Sequence, residues 1–115
     1  MSKSAYKGPS EKYDLYAALI AGHADIELKG KTMPYTSANG HMFSHLDKEG
    51  AMGLRLPSDA RETFLADFQT ELFVQHGRVM KEYVAVPAEL LANTVGLQAH
   101  LAVSFDYVMS LKPKK

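Results

Sequence analysis

Residues 40–65, GHMFSHLDKEGAMGLRLPSDARETFL, read without a gap as strand, tight turn, strand, proline-serine stop and helix. Asn39-Gly40, at the head of this stretch, is the favoured pair for a two-residue type I′ turn, because both central positions need positive φ. It separates a strand over residues 32–38 from a second over 41–46. Lys48-Glu49-Gly50 forms the next turn, and beyond it Met52, Leu54 and Leu56 alternate with Ala51, Gly53 and Arg55 in a third strand. Pro57 cannot extend a central strand and Ser58 is placed to cap a helix. Ala60, Phe64, Phe68 and Leu72 then follow at helical intervals, with Asp59 and Glu62 near the start.

Upstream, Gly8-Pro9-Ser10 predicts a helix capped by Ser10, on which Tyr13, Tyr16, Ala17 and Ile20 form one apolar stripe ending near Gly22. Residues 23–31 read as a connection with a short extended piece over 26–28. Downstream, residues 72–75 and 79–86 predict two further strands turned by His76-Gly77-Arg78, the second rich in β-branched and aromatic residues. Pro87 opens a helical turn over 88–92. Thr94 is expected to cap a last helix striped by Leu97, Leu101, Ser104, Phe105, Val108 and Leu111 and ended by Pro113. The fold class expected is α+β: a two-layer domain over residues 1–115 with an antiparallel sheet of four to five strands and helices packed on one face, in the order α-β-β-β-α-β(-β)-α. Flexible arms are expected at residues 1–9 and 112–115.

The chain has 115 residues, a hydrophobic fraction of 46% and a charged fraction of 23%, which is ordinary for one globular domain. A chain of this length buries roughly 65% of its unfolded surface. It has no cysteine, hence no disulfide framework and no thiolate zinc site, as expected for a reducing compartment. No apolar run approaches the roughly 20 residues that span a bilayer, and the first residues lack a signal-peptide core, so the expected location is the cytoplasm, with no membrane contact. The formal net charge is zero, but Lys3, Lys7, Lys112, Lys114 and Lys115 lie in the arms, leaving 8 basic against 13 acidic residues between Ser10 and Leu111. That acidic body offers few cations for a phosphate-binding face, which makes nucleic acid a minor expectation confined to the basic tail.

Motifs for chemistry are sparse. The glycines follow neither phosphate-loop pattern, and Ser37, Ser44, Ser104 and Ser110 stand outside a G-x-S-x-G elbow. His41 and His45 have helical metal-ligand spacing, yet on a strand their rings start roughly 13 Å apart, so no metal is expected there. His23, His76 and His100 read as surface or cap residues, and Asp47 with Glu49 as a solvated turn. No cofactor and no catalytic residue is expected. The candidate binding face comprises His41, Phe43, His45, Arg55, Lys81, Glu82 and Tyr83, with His41, Phe43 and His45 on one sheet face that the helices leave open. Arg55 would be the directional donor to a peptide or small anion, and the alternative expected is a metabolite-binding or enzymatic pocket on that face using Arg55, His45 and Tyr83. Sheet-on-sheet homodimerisation through Phe43 and Tyr83 is the other use expected of that face.

Met42-Phe43 opening a hairpin, and Glu82-Tyr83 followed by Pro87-Ala88-Glu89-Leu90-Leu91, together with the order of elements, resemble the N-terminal domain of the TfoX/Sxy competence regulators over residues 34–111. In that family's usual pattern two glycines follow the methionine-phenylalanine pair, where Ser44 and His45 stand here. The resemblance implies a two-layer α+β domain related in shape to MmcQ/YjbR-like domains. It also implies regulation or partner binding rather than a reaction; the partner expected is a second copy of this chain or another protein.

Overall fold

Among the described residues, prolines set three of the four helix starts. α1 (Ser10–Ala21), α2 (Ser58–Asp67) and α3 (Ala88–Ala92) follow Pro9, Pro57 and Pro87, whose φ of −62°, −67° and −60° and extended ψ are the backbone that an N-cap needs. Each proline carbonyl accepts from the first helical turn, at 3.2 Å from Tyr13 N, 2.8 Å from Arg61 N and 3.0 Å from Leu91 N. Ser10 and Ser58, expected as caps, are therefore the first helical residues and make no capping bond. Glu11, Asp59 and Glu89 complement the positive helix ends. α4 (Thr94–Ser110) is capped by Asn93 rather than Thr94: its Oδ1 accepts from Gly96 N at 3.1 Å.

The computed structural model describes residues 6–30, 32–75 and 77–113. His76 of the expected turn and Lys3, Lys114 and Lys115 of the arms lie outside the described residues. β1 (Tyr35–Ala38), β2 (His41–Leu46), β3 (Met52–Arg55), β4 (Leu72–Gln75) and β5 (Arg78–Val86) form one antiparallel sheet in the order β1-β2-β3-β5-β4. The α+β class and the order of elements are those the sequence predicts. Asn39 and Gly40 have φ of 56° and 82°, the type I′ signature. The Asn39 side chain also donates to the carbonyls of Val108 and Leu111 at 2.9 and 2.8 Å, tying the hairpin to the end of α4. β1 is shorter than expected because Pro34 precedes Tyr35, while Lys29 bridges Tyr35 with two bonds of 2.9 Å.

One face of the sheet carries Ser44, Leu54 and Val84 in one cross-strand row and Leu46, Met52 and Val86 in the next. Tyr16 and Leu19 of α1, Leu91 of α3 and Leu97, Leu101 and Val108 of α4 close over these rows in one core. Inside it the hydroxyls of Tyr16, Ser44 and Thr36 satisfy one another, at 2.7 Å for Tyr16 to Ser44 and 2.5 Å for Thr36 to Ser44. Burial drives the Tyr16 hydroxyl pKa well up, so it stays neutral. At the N-terminal arm, Tyr6 packs on Tyr13 and donates to the Asp47 carbonyl. No helix among the described residues is long and apolar enough to cross a membrane.

Candidate functional site

A bulge decides which way β2 presents its side chains. Thr36 pairs with Ser44 but Ser37 pairs with Met42, so Phe43 is an extra residue on β2. The extra residue breaks the alternation, and Phe43 turns to the helix side. There it is fully buried, its ring 5.9 Å from Phe105 and its carbonyl accepting from Ser104 Oγ at 3.3 Å. The expectation that His41, Phe43 and His45 share a face fails for this reason. His45, lying between Ser44 and Leu46, points to the opposite face.

That opposite face is not bare. In the order β2-β3-β5-β4 a flat sheet would hold β2 and β4 about 14 Å apart, yet the rings of His45 and Phe73 meet edge-on at 4.7 Å. The cause lies in β5. Between the pairs Leu72–Val84 and Val74–Val79, β4 advances two residues while β5 advances five, and the surplus bends the hairpin. The β4–β5 hairpin thus curls back over the face that the helices leave, and seats Phe73 on Gly53. A Cβ at Gly53 would lie 2.7 Å from His45 Nε2 and 3.2 Å from Phe73 Cγ, so only glycine leaves room for this closure. Tyr83 completes the cluster, 5.5 Å from His45 and donating to the Met42 carbonyl at 2.7 Å.

His45 is 4% exposed and its Nε2 has no hydrogen-bond partner among the described residues. Burial lowers its pKa from 6.5 to about 4, partly opposed by Asp47, so the imidazole is neutral near pH 7. Tyr83 is 8% exposed, and burial pushes its hydroxyl up to about 12 against the pull of Arg55. With Phe43 and Tyr83 already buried inside one chain, neither is available for the sheet-on-sheet contact expected of them.

Beside this cluster, the curled hairpin and the β2–β3 turn flank a half-open cavity of about 430 Å³ lined by Met33, Asp47, Lys48, Glu49, Val74 and Gln75. Its walls combine two apolar side chains with charges of both signs. Asp47 Oδ1 is held by the backbone N–H groups of Glu49 and Ala51, each at 2.9 Å, which fixes the turn that forms one wall. Val74 and its cross-strand neighbour Val79 are 54% and 55% exposed, and Met33 is 38% exposed.

Arg55 and Glu82 meet, but not as an open anion donor. Arg55 Nε donates to Glu82 Oε1 at 2.7 Å, Tyr107 Oη donates to Oε2 at 3.1 Å, and the guanidinium carbon lies 5.6 Å from the centre of the Tyr107 ring. Partial burial alone would raise the Glu82 pKa, but hydrogen bonding and charge from Arg55 bring it below the usual carboxylate value. His41 bonds the Lys112 carbonyl at 2.9 Å, and Lys81 is exposed. The seven residues of the expected face therefore divide. His45 joins Tyr83, Arg55 joins Glu82, and His41, Phe43 and Lys81 stand apart.

The hydroxyls raised as nucleophiles are engaged elsewhere. Ser37 Oγ accepts from Lys29 Nζ at 3.0 Å, Ser44 joins the buried hydroxyl set, and Ser110 Oγ donates to the Tyr107 carbonyl at 2.6 Å. None of these bonds involves a histidine. Among the described residues no group of three or more His, Asp or Glu could hold a metal ion. A second cavity, of about 350 Å³, lies between α2 and α4 and is lined by Asp59, Ala60, Thr63, Phe64, Asp67 and His100. Its His100 rests edge-on against Phe64 and Phe68.

Sequence reasoning missed Phe73, Gly53 and Tyr107 as members of these clusters, and Met33 and Val74 as cavity walls. Only Gly53 carried a readable signal, since a glycine inside a strand marks close backbone approach. Comparisons with protein-family models, with curated proteins and with solved structures give no match for this chain.

Proposed function

We propose that this chain is a non-enzymatic cytoplasmic interaction module that holds a segment of another protein chain, a second copy of itself included. Its setting would be regulatory, like that implied by the resemblance to the TfoX/Sxy N-terminal domain. The observation that carries this reading is the exposed Val74–Val79 pair and Met33 beside a cavity of about 430 Å³ on edge strand β4. An edge strand offers unpaired backbone groups to an extended peptide, while an adjoining apolar cavity accepts one of its side chains. Asp47, Lys48 and Glu49 at the rim favour a partner of mixed charge. The engagement of the serine hydroxyls away from histidine, and the absence of cysteine, support a binding rather than a chemical role in a reducing compartment.

The test has two arms. Light scattering over a dilution series reads self-association, and selection from a displayed random-peptide library reads capture of a foreign segment. Binding in either arm should be lost in Val74→Lys and kept in Val95→Lys, a control on the exposed side of α4. A monomer at high micromolar concentration that also enriches no peptide, or binding indifferent to Val74→Lys, would remove this reading.

A further inference from the structure

We propose that the β4–β5 hairpin is a lid over the helix-free face of the sheet and that His45 is its latch, holding the lid shut while neutral and releasing it on taking up a proton. The geometry supplies each part. The bend is the surplus of residues in β5 between Val79 and Val84. The seat is Gly53, where the Phe73 ring lies against the sheet. The latch is the His45 ring, enclosed by Phe73 of β4, Tyr83 of β5 and Gly53 of β3, with Tyr35 as its register partner in β1.

A protonated imidazole has two N–H donors, and here Nε2 has no acceptor among the described residues. The titratable and charged groups around it cannot replace one. The Tyr83 hydroxyl donates to the Met42 carbonyl and its oxygen makes no bond to Nε2. Arg55, which acts on Tyr83, is paired with Glu82, which acts on Tyr83 in the opposite sense. Tyr35 carries no carboxylate, and β3 and β4 face the ring with Gly53 and Phe73. Asp47, on the strand's own continuation, is the carboxylate that acts on His45, and its effect is smaller than that of burial. An imidazolium is therefore stabilised by lifting the hairpin and admitting water. Lifting separates Val74 and Gln75 from Asp47, Lys48 and Glu49, and so dismantles the cavity between them.

The lid bears on the contact surface proposed above and to that extent rests on it. Hydrogen exchange on the isolated protein needs no partner, however, so lid and contact surface fail separately. With a pKa of about 4 in the closed form and 6.5 when solvated, the ratio of open to closed lid rises about 20-fold between pH 7 and pH 5. Exchange followed by NMR, corrected for the intrinsic rate, should show the amides of Val74 and Val79 at least about tenfold less protected than those of Leu19 and Leu101 at both pH values. Opening at the hairpin should rise by the stated factor. His45→Phe, and separately His45→Gln, should abolish that pH dependence. The proposal is overturned if hairpin and core amides share one opening constant, if hairpin opening changes less than about threefold in the unsubstituted protein, or if a folded His45 variant keeps the full pH response.

Discussion

Gly53→Ala tests the closure of the hairpin at its tightest point. The new Cβ would sit 2.7 Å from His45 Nε2 and 3.2 Å from both His45 Cδ2 and Phe73 Cγ. The imidazole would have to retreat by about 0.7 Å to reach ordinary contact, and the Phe73 and Tyr83 rings, at 4.7 and 5.5 Å, stand in its way. Overpacking of this kind costs about 1–3 kcal/mol, offset by ~0.4–1 kcal/mol because alanine restricts the unfolded chain more than glycine does. The expected net loss is about 1–2 kcal/mol. At about 2.1 cal/mol/K per residue, 115 residues unfold with about 0.24 kcal/mol/K, so Tm should fall by about 4–8 °C. Calorimetry at pH 7 measures this, and the same substitution in a His45→Ala background supplies the decisive comparison. There the imidazole is gone, the Cβ fills vacated space, and Gly53→Ala should raise Tm. An equal cost in both backgrounds, or a stabilising effect in the unsubstituted protein, would refute the reasoning.

Other consequences follow from the same geometry. His45 has a folded pKa of about 4 against 6.5 unfolded, so the unfolded chain binds more protons in between; stability should be complete above about pH 6.5 and fall by about 3 kcal/mol as pH drops through 4, read by urea melts along a pH series. Asn39→Ala removes two hydrogen bonds to the end of α4 and places alanine at φ 56°, which should cost about 2–4 kcal/mol in chemical denaturation. Tyr16→Phe leaves Ser44 bonded to Thr36 and should cost only about 1–2 kcal/mol, with the fold unchanged by far-UV circular dichroism.

Elements announced by local chemistry were legible in the sequence. The Asn39-Gly40 turn, the strand limits of β2 and β4, and the succession of helices rest on residues whose backbone preferences act over two to four positions. The N-caps lay one residue from their expected places because proline already has the φ of a cap, a competition that side-chain preference alone does not reveal. The candidate site was legible only in part. HMFSHL alternates as a plain strand, and nothing in it announces that Phe43 is surplus to the pairing with β1. RVMKEYVAV likewise reads as one uniform strand, although its partner β4 advances two residues where it advances five. Both offsets depend on the partner strand, so periodicity within one segment cannot detect them. The Met42-Phe43 pair that carries the resemblance to the TfoX/Sxy domains falls on the first of these bulges. The Arg55–Glu82 contact was within reach of the sequence, but the position of Tyr107 beneath it depends on how α4 crosses the sheet.

Contact surface and lid both stand on the curl of the β4–β5 hairpin, and the absence of cysteine makes that curl directly measurable. Spin labels on Glu49→Cys and Gln75→Cys report it by dipolar broadening of the continuous-wave spectrum. In a flat sheet the strand spacing and the opposite run of β2 and β4 would put these positions about 24 Å or more apart. In the curled hairpin both residues line one cavity. Broadening at pH 7 that corresponds to a separation below about 15 Å is the predicted result; spectra without dipolar broadening would contradict the closure on which the contact surface and the latch depend.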